Sequence, residues 1–329
     1  MSTPRMPSGY VPVVQAGKGH NAAVHFCLPP SKVDKFLKAN NGNPLLNHGI
    51  DDLRRSLVAV KVALHHDSEQ DDYNEPRPLK INNDKNEHIK TEDAALRAVK
   101  ECEAEHANEM RAYFPDIQDT ELQTYEDDVP CVVLEAITPS VTLYDMLDFS
   151  ENGNIVKLPT ILTYHLFLSL TSAVKFLHNE VKWTHSDITS RNVILRPTRN
   201  SSDLPQVVLI DFGLARSFDD SPDSVDHWGI AHLIQEMVSK AAKDKSPEWK
   251  IFCDLTEKKE YKQSPVTDKK FQEIWGELTN TASKQTATAS PSQKERVHKV
   301  YWEVVQKGKK FKGDEEDVLV EAVRTYKGL

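Results

Sequence analysis

The chain has 329 residues, of which 39% are hydrophobic, enough for one large domain or two lobes with a buried core. Its formal net charge of −9 argues against nucleic acid as a default partner, because phosphate backbones are held by clustered lysine and arginine. The four cysteines lack the paired spacing of a zinc site or a disulfide framework. No signal peptide is apparent, and the apolar stretch 161–170 is too short and too polar to span a membrane. We therefore expect a cytoplasmic protein without a membrane partner.

The first part of the chain is strand-like. Residues 10–14 and 22–28 predict a hairpin around a glycine-bearing turn, and residues 56–64 predict a further strand rich in β-branched residues. The polar segments 29–55 and 65–90 interrupt this pattern and are interpreted as insertions, with disorder expected over 65–88.

Helical patterns dominate the rest of the chain. From residue 91 a helix is predicted with one face formed by Ala95, Val99, Glu103, His106, Met110 and Tyr113. Residues 130–137 then predict a buried strand. A long helix at 159–179 should bury a stripe formed by Leu162, Leu166, Leu170, Val174 and Leu177. Two short strands follow, and beyond Asp226 only helices and loops are expected.

A pair of glycines lies in the predicted hairpin. The stretch "AGKGHNAAV" carries the first two glycines of a G-x-G-x-x-G-x-V pattern as Gly17 and Gly19, with Ala22 at the third glycine position and Val24 at the last. By itself the pattern is weak, because a turn that needs positive φ commonly explains glycines at a hairpin tip. Its weight comes from the motifs that follow.

The strand at 56–64 contains Lys61 within "VAVK", where a cation can reach phosphate groups. On the predicted helical face, Glu103 is placed to hold this lysine by an ion pair, and Glu101 and Glu105 are neighbouring alternatives. A glutamate on an apolar face needs such a partner, because burying an unpaired charge is costly.

Acids at two further positions complete the set. In "THSDITSRNVIL", Asp187 supplies a carboxylate that can orient or deprotonate an attacking hydroxyl, and Asn192 supplies an oxygen for a magnesium ion. In "LIDFG", Asp211 ends a buried strand and offers a second metal ligand. Each acid alone could be an ordinary turn residue. The turn explanation does not account for the order along the chain, in which the glycine pair and Lys61 come first and Asp187 and Asp211 follow.

With these motifs in this order, the chain resembles the eukaryotic-type protein kinase superfamily, as a compact divergent member similar to small fungal kinase-like proteins. The resemblance covers residues 10 to about 240. It implies an α+β fold with an N-terminal extension at 1–9, a small β-rich N-lobe at 10–137 and a helical C-lobe at 138–329. It also implies ATP and magnesium as cofactors, with the two lobes clamping ATP at the hinge.

The resemblance further assigns roles to matched positions. Asp187 would be the catalytic base, Lys61 would pair with Glu103, and Asn192 and Asp211 would hold magnesium. Leu134 would be the gatekeeper, Asp226 the buried helix acid that ties down the catalytic loop, and His185 and Phe212 structural residues. The nucleotide would be bound by Gly17, Lys18, Gly19, Val24, Ala59, Lys61, Glu135, Ile137 and Ile194.

The chain also departs from the family pattern. Ser186 replaces the arginine before the catalytic aspartate, and Thr189 stands where serine/threonine kinases carry lysine, so Arg191 is expected to neutralise the γ-phosphate. The interval between Asp211 and Asp226 is too short for a full activation segment. We expect a phosphotransferase acting on protein serine or threonine. The alternatives are a nucleotide-binding pseudokinase scaffold and a small-molecule kinase of the aminoglycoside or choline type, which would act on a small hydroxyl-bearing acceptor.

Overall fold

The computed structural model describes residues 9–19, 21–42, 49–64, 85–121, 130–151, 154–198, 200, 202–219, 224–242, 244–257, 269–307 and 315–327. The strands are β1 Val11–Lys18, β2 Ala22–Leu28, β3 Val58–Ala63, β4 Ile117–Glu121, β5 Cys131–Glu135, β6 Val141–Thr142, β7 Ser150–Glu151, β8 Asn154–Ile155, β9 Trp183–Thr184, β10 Val193–Arg196, β11 Gln206–Leu209 and β12 Arg216–Ser217. The α-helices are α1 Pro30–Ala39, α2 Ile50–Arg55, α3 Lys85–Glu101, α4 Ala107–Met110, α5 Leu143–Leu147, α6 Thr160–Phe176, α7 Val225–Lys240, α8 Pro247–Thr256, α9 Lys269–Ala287, α10 Pro291–Lys307 and α11 Glu315–Lys327. The protein is α+β, with an antiparallel sheet in its N-terminal part and a helical C-terminal part.

The chain divides into two compact units. The first comprises Met1–Ala94, Asp116–Ala136 and Lys310–Leu329, and the second comprises Ala95–Pro115 and Ile137–Lys309. The passage from one unit to the other at residues 136 and 137 falls where the sequence placed the end of the N-lobe. These units differ from the expected lobes in two places, since residues 95–115 belong to the second unit and α11 belongs to the first.

The first unit is built on a five-stranded antiparallel sheet in the order β1-β2-β3-β5-β4. Successive side chains of each strand point to opposite faces of the sheet. One face forms an apolar cluster made of Cys27, Val58, Val60, Val62, Cys131 and Val133. The other face carries the neighbouring positions of the same strands, including Lys61. Both the hairpin at 10–28 and the strand at 56–64 are therefore confirmed.

Three helices of the first unit were not expected there. The segment 29–55, interpreted as an insertion, contains α1 and α2. Helix α1 starts at Pro30, a residue whose fixed φ suits the first helical turn, and it buries Val33, Phe36 and Leu37. Helix α11 lies beside β1 and α2. The sequence predicted a packing helix at α11, but a helical pattern does not say which surface will cover the helix.

The second unit is organised around α6. The predicted stripe of leucine and valine is confirmed, since these five side chains have no exposed surface: Leu162, Leu166, Leu170, Val174 and Leu177. Helices α7 and α9 lie against α6, and aromatic rings of α8 and α9 contact Phe167. The short strands β10 and β11 pair antiparallel beside this helical core. The predicted helices beyond Asp226 are also confirmed.

Two further expectations are modified by the structure. The stretch 65–88 was expected to be disordered; residues 65–84 lie outside the described residues, and Lys85 already begins α3. The apolar stretch 161–170 was judged too short for a membrane span, yet the helical run Thr160–Val181 has 22 residues and is long and apolar enough to cross a membrane. Because 67% of its apolar window is buried inside the protein, the run has the character of a core helix, which passes the same test.

Candidate functional site

A row of directly paired residues crosses four strands of the first unit. Gly17 pairs with Val24, Val24 with Lys61, and Lys61 with Val132. Two positions along the strands, Phe26 pairs with Ala59 and Ala59 with Leu134. Paired residues of an antiparallel sheet share a face, and so do residues two apart on one strand. The expected nucleotide-contacting residues Val24, Ala59 and Lys61 and the expected gatekeeper Leu134 therefore lie on one face of the sheet.

The glycine pair occupies the end of β1 and the turn after it. The β1–β2 register shifts between Gln15 and Gly17, which places a bulge beside Gly17. Neither Gly17 nor Gly19 has positive φ, so the turn explanation considered for these glycines is wrong. A Cβ built on Gly17 would have no described atom within 4 Å. The backbone of β1 is thus accessible to a close approach at this point. Lys18 ends the strand with an exposed side chain.

Lys61 is held by an acid that the sequence analysis missed. Its Nζ lies 2.5 Å from Oε2 of Glu92, and the two residues expose only 9% and 1% of their surface. Glu103 was the expected partner, with Glu101 and Glu105 as alternatives. That expectation is wrong, because α3 ends at Glu101 and Glu103 lies exposed in the turn that follows.

A sequence signal for Glu92 did exist. Glu92 precedes Ala95 by three residues and Val99 by seven, so it lies on the same helical face as these buried residues. The predicted face instead continued past the end of the helix to Glu103 and did not include Glu92. The break between α3 and α4 is the physical reason for the error, because phase is not kept across a turn.

The expected hinge residues divide between the two units. The backbone N–H of Glu135, in the first unit, donates to the carbonyl of Asp116 at 2.8 Å, so this N–H is already engaged within the sheet. Ile137 and Ile194, in the second unit, pack in one apolar cluster with Val208 and Ile210. Nucleotide binding by Glu135 and Ile137 stays a prediction, and any contact at Glu135 would use a group other than this N–H.

In the second unit, Asp226 fixes the start of the loop 185–192. Its Oδ1 accepts a hydrogen bond from the backbone N–H of Ser186 at 2.7 Å, and its Oδ2 accepts one from the N–H of His185 at 2.8 Å. The ring Nε2 of His178 lies 2.8 Å from the same Oδ2. The expected role of Asp226 as the acid that ties down this loop is confirmed. Burial alone would raise the pKa of Asp226, but the hydrogen bonds from His178 and from the loop backbone keep it below its ordinary value.

The backbone at Ser186, whose N–H donates to the Asp226 carboxylate, is strained. Ser186 has a φ of +67°, a left-handed conformation that a residue other than glycine adopts at a cost of about 1 to 2 kcal/mol. Two contacts offset this cost: the Asp226 carboxylate accepts from its N–H, and its Oγ lies 2.9 Å from the hydroxyl oxygen of Thr184. Asp226 thus imposes a specific shape on the residue before Asp187.

Asn192 holds the carboxylate of Asp187 in place. Its amide nitrogen donates to Oδ2 of Asp187 at 2.7 Å and to the Asp187 carbonyl at 2.9 Å. Since the nitrogen end of the amide is used in this way, the oxygen end of Asn192 is directed away from Asp187. The carbonyl of Asn192 also accepts from the N–H of Ile210, the residue before Asp211. These contacts gather Asp187, Asn192 and the Asp211 backbone at one place.

Asp211 and His185 belong to the same cluster. Asp211 has a φ of +68° and lies two residues beyond the end of β11. Burial lowers the pKa of His185, against the opposing effects of Asp226, the Ile210 carbonyl, Asp211 and Asp187. The Nδ1 of His185 accepts from the Asp187 N–H at 3.2 Å, so its Nε2 donates to the Ile210 carbonyl at 2.9 Å, and the centres of the His185 and Phe212 rings are 4.5 Å apart. The structural role expected for His185 and Phe212 agrees with these contacts.

Arg191 makes a contact that no sequence pattern indicated. Its guanidinium carbon lies 3.9 Å from the centre of the Tyr144 ring, a distance typical of a cation–π interaction. Arg191 lies in the turn Ser190–Asn192, next to the residue that holds Asp187. Its side chain is exposed, and within the described parts of the chain it forms no ion pair.

The oxygen donors of this cluster suit a magnesium ion. Magnesium prefers oxygen ligands and is commonly held by only one or two carboxylates together with phosphate and water. The side-chain oxygen of Asn192 and the carboxylate of Asp211 are donors of this kind. Among the described residues no group of three or more His, Cys, Asp or Glu side chains is placed to bind a metal ion.

Comparison with known proteins does not place the chain in a family. No protein-family model matches it, and no curated protein matches it in sequence.

Proposed function

We propose that the protein is an ATP- and magnesium-dependent phosphotransferase of the protein-kinase type, with a two-lobed fold and a shortened activation segment. The observation that carries the proposal is the arrangement of loop 185–192, in which a buried helix acid shapes the backbone beside Asp187 while Asn192 holds its carboxylate. An aspartate that only stabilises a turn does not need other residues to fix both the adjacent backbone and its own carboxylate.

The first unit supplies a second line of support. Lys61 and Glu92 form a buried ion pair on the sheet face that also carries Val24 and Ala59. A buried pair costs desolvation energy and is a weak source of stability, and this cost favours a functional role for the lysine. In the proposed function Lys61 binds phosphate oxygens, Glu92 orients it, and the accessible backbone at Gly17 lies over the phosphates.

The chemistry of transfer follows from the residues of the second unit. Asp187 accepts the proton of the acceptor hydroxyl as the new bond to phosphorus forms and the bond to the leaving diphosphate breaks. Asn192 keeps the Asp187 carboxylate oriented, and its side-chain oxygen and the Asp211 carboxylate would hold a magnesium ion. Magnesium, when bound, neutralises charge on the phosphate oxygens. Arg191 contributes hydrogen bonds to the transferred phosphoryl group.

The acceptor is either a protein hydroxyl or a small hydroxyl-bearing molecule. Protein serine or threonine is the acceptor that the resemblance implies. The region after Asp211 favours the second candidate, because β12 pairs with β9 and only seven residues, 218–224, separate β12 from α7. So short a connection leaves little chain to build a peptide-docking surface. We further propose a cytoplasmic location, with ATP as the nucleotide partner.

The decisive experiment measures transfer from labelled ATP to a generic protein substrate and to a panel of small alcohols. Asp187→Ala should lower turnover by at least 100-fold with little effect on ATP affinity, because a base acts on the acceptor and not on the nucleotide. Asp211→Asn should weaken the magnesium-dependent part of ATP binding in calorimetry. The matched control is Asp203→Asn, which changes an exposed acid outside the cluster. Unchanged magnesium dependence in Asp211→Asn would exclude the metal assignment, and ATP binding without any transfer would favour the pseudokinase.

A further inference from the structure

Tyr144 is mounted on a firmly anchored helix. Helix α5 begins with a capping box in which the hydroxyl of Thr142 accepts from the Asp145 N–H at 3.1 Å and the Asp145 carboxylate accepts from the Thr142 N–H at 2.8 Å. Leu143, Met146 and Leu147 are buried. Tyr144 lies on the side of this anchored helix that meets the turn Ser190–Asn192.

A guanidinium stacked on an aromatic ring keeps its hydrogen-bonding capacity. The cation–π contact uses the flat face of the group, whereas the five N–H donors point outward in its plane. Tyr144 thus removes rotamer freedom from Arg191 without consuming its donors. Arg191 has no carboxylate partner in the described parts of the chain, so the ordered guanidinium is available to an external anion.

We propose that Tyr144 is a positioning residue that holds Arg191 ready to bind a phosphoryl oxyanion next to Asp187. The inference rests on the proposed function and extends it to a residue outside the motifs. During transfer the bond from phosphorus to the leaving diphosphate breaks, the bond to the acceptor oxygen forms, and the acceptor proton passes to Asp187. Arg191 donates hydrogen bonds to the phosphoryl oxygens and exchanges no proton. The ordering of Arg191 by Tyr144 makes those bonds possible at little entropic cost.

The test compares Tyr144→Phe, which retains the ring, with Tyr144→Leu, which removes it. We expect turnover of Tyr144→Phe within about twofold of the unmodified protein and a fall of about fivefold in Tyr144→Leu, the scale of a cation–π contact made by an exposed arginine. The KM for ATP should change by less than about twofold in both. Tyr326→Leu, at an exposed tyrosine of α11, is the control and should leave turnover unchanged.

A measurement that needs no turnover accompanies the kinetics. In nitrogen-15 spectra the side-chain N–H of Arg191, assigned with Arg191→Lys, should show a ring-current shift that Tyr144→Phe keeps and Tyr144→Leu loses. Magnesium ATP should then shift this signal further only where the ring is present. Equal kcat in the Phe and Leu variants, or an Arg191 signal that is the same in both, would overturn the proposal for Tyr144.

The two proposals fail in different ways. If the unmodified protein transfers no phosphate, yet magnesium ATP moves the Arg191 signal in a ring-dependent manner, the phosphotransferase assignment is wrong and the anion-positioning role of Tyr144 stands. If there is neither transfer nor a nucleotide-induced shift, both are wrong.

Discussion

Gly229 of α7 lies against Ile188, the residue that follows Asp187. A Cβ built on Gly229 would come within 2.8 Å of the Ile188 Cβ and 2.9 Å of the Ile188 carbonyl oxygen. Real Cβ atoms do not tolerate such distances, and a backbone carbonyl cannot rotate away as a side-chain end can. A glycine at this point of α7 is therefore what allows loop 185–192 to approach the helix.

Gly229→Ala should destabilise the protein although alanine is the better helix former. Overpacking against backbone costs about 1 to 3 kcal/mol, whereas replacing a helical glycine gains about 1 kcal/mol. The control is Gly276→Ala in α9, where a Cβ meets no described atom within 4 Å and the propensity gain should appear alone. Denaturant unfolding measures both variants. Equal stabilisation of the two would show that Ile188 is not in close contact with α7.

Glu92→Gln should reduce stability and weaken ATP binding, whereas Glu103→Gln should do neither. Removing the charge of Glu92 leaves the Lys61 ammonium buried beside a neutral amide, at a cost of about 2 kcal/mol. Glu103 is exposed, and substitutions at such positions stay within about 0.5 kcal/mol. Denaturant unfolding and ATP calorimetry on both variants decide between them. A larger effect from Glu103→Gln would restore the pairing expected from sequence.

Acid should destabilise the second unit through His227. Burial, with a smaller contribution from the neighbouring His178, lowers the pKa of His227 to about 4, against the opposing effect of Asp226. Its Nδ1 is buried without a hydrogen-bond partner among the described residues. The unfolded chain therefore binds the extra proton at a higher pH than the folded protein does. The stability associated with neutral His227 is fully present above pH about 6.5 and is lost as the pH falls toward 4.

His227→Phe should reduce this acid sensitivity, by on the order of 1 to 2 kcal/mol at pH 5 relative to pH 7. His232→Phe is the matched control, because His232 is an exposed histidine of the same helix. Thermal unfolding between pH 4 and 7 gives the dependence of stability on pH for each variant. The His25, His165 and His185 pKa values are also lowered by burial, so part of the sensitivity should persist. An unchanged slope in His227→Phe would contradict the prediction.

Activity should be independent of phosphorylation after Asp211. Ser186 replaces the arginine that would read a phosphate on an activation segment, and β12 is followed by α7 after seven residues. Ser217 is exposed on β12, and Ser221 lies outside the described residues. Phosphatase treatment and the double substitution of Ser217 and Ser221 by alanine should leave phosphotransfer within about twofold. A large loss that rephosphorylation within residues 214–225 restores would refute this expectation.

Local sequence patterns determined much of the fold. Runs rich in apolar and β-branched residues located the hairpin at 10–28 and the strand at 56–64, because such side chains suit a buried sheet, and β3 is buried along its whole length. The leucine stripe of α6 followed from the 3.6-residue repeat. The motif order likewise led to Lys61, Asp187, Asn192 and Asp211, and the contact between Asn192 and Asp187 joins two of them across only five residues.

Contacts between distant parts of the chain needed the tertiary structure. By sequence spacing, both Glu92 and Glu103 fit the buried helical face that carries Ala95 and Val99. Only the end of α3 at Glu101 and the burial of Glu92 against Lys61 show which of the two pairs with the lysine. The contact between Tyr144 and Arg191, the approach of Gly229 to Ile188 and the place of α11 in the first unit have no periodic signature. Such contacts join segments dozens of residues apart. Their geometry depends on how whole elements pack, whereas a hydrophobic pattern records only which side of each element is buried.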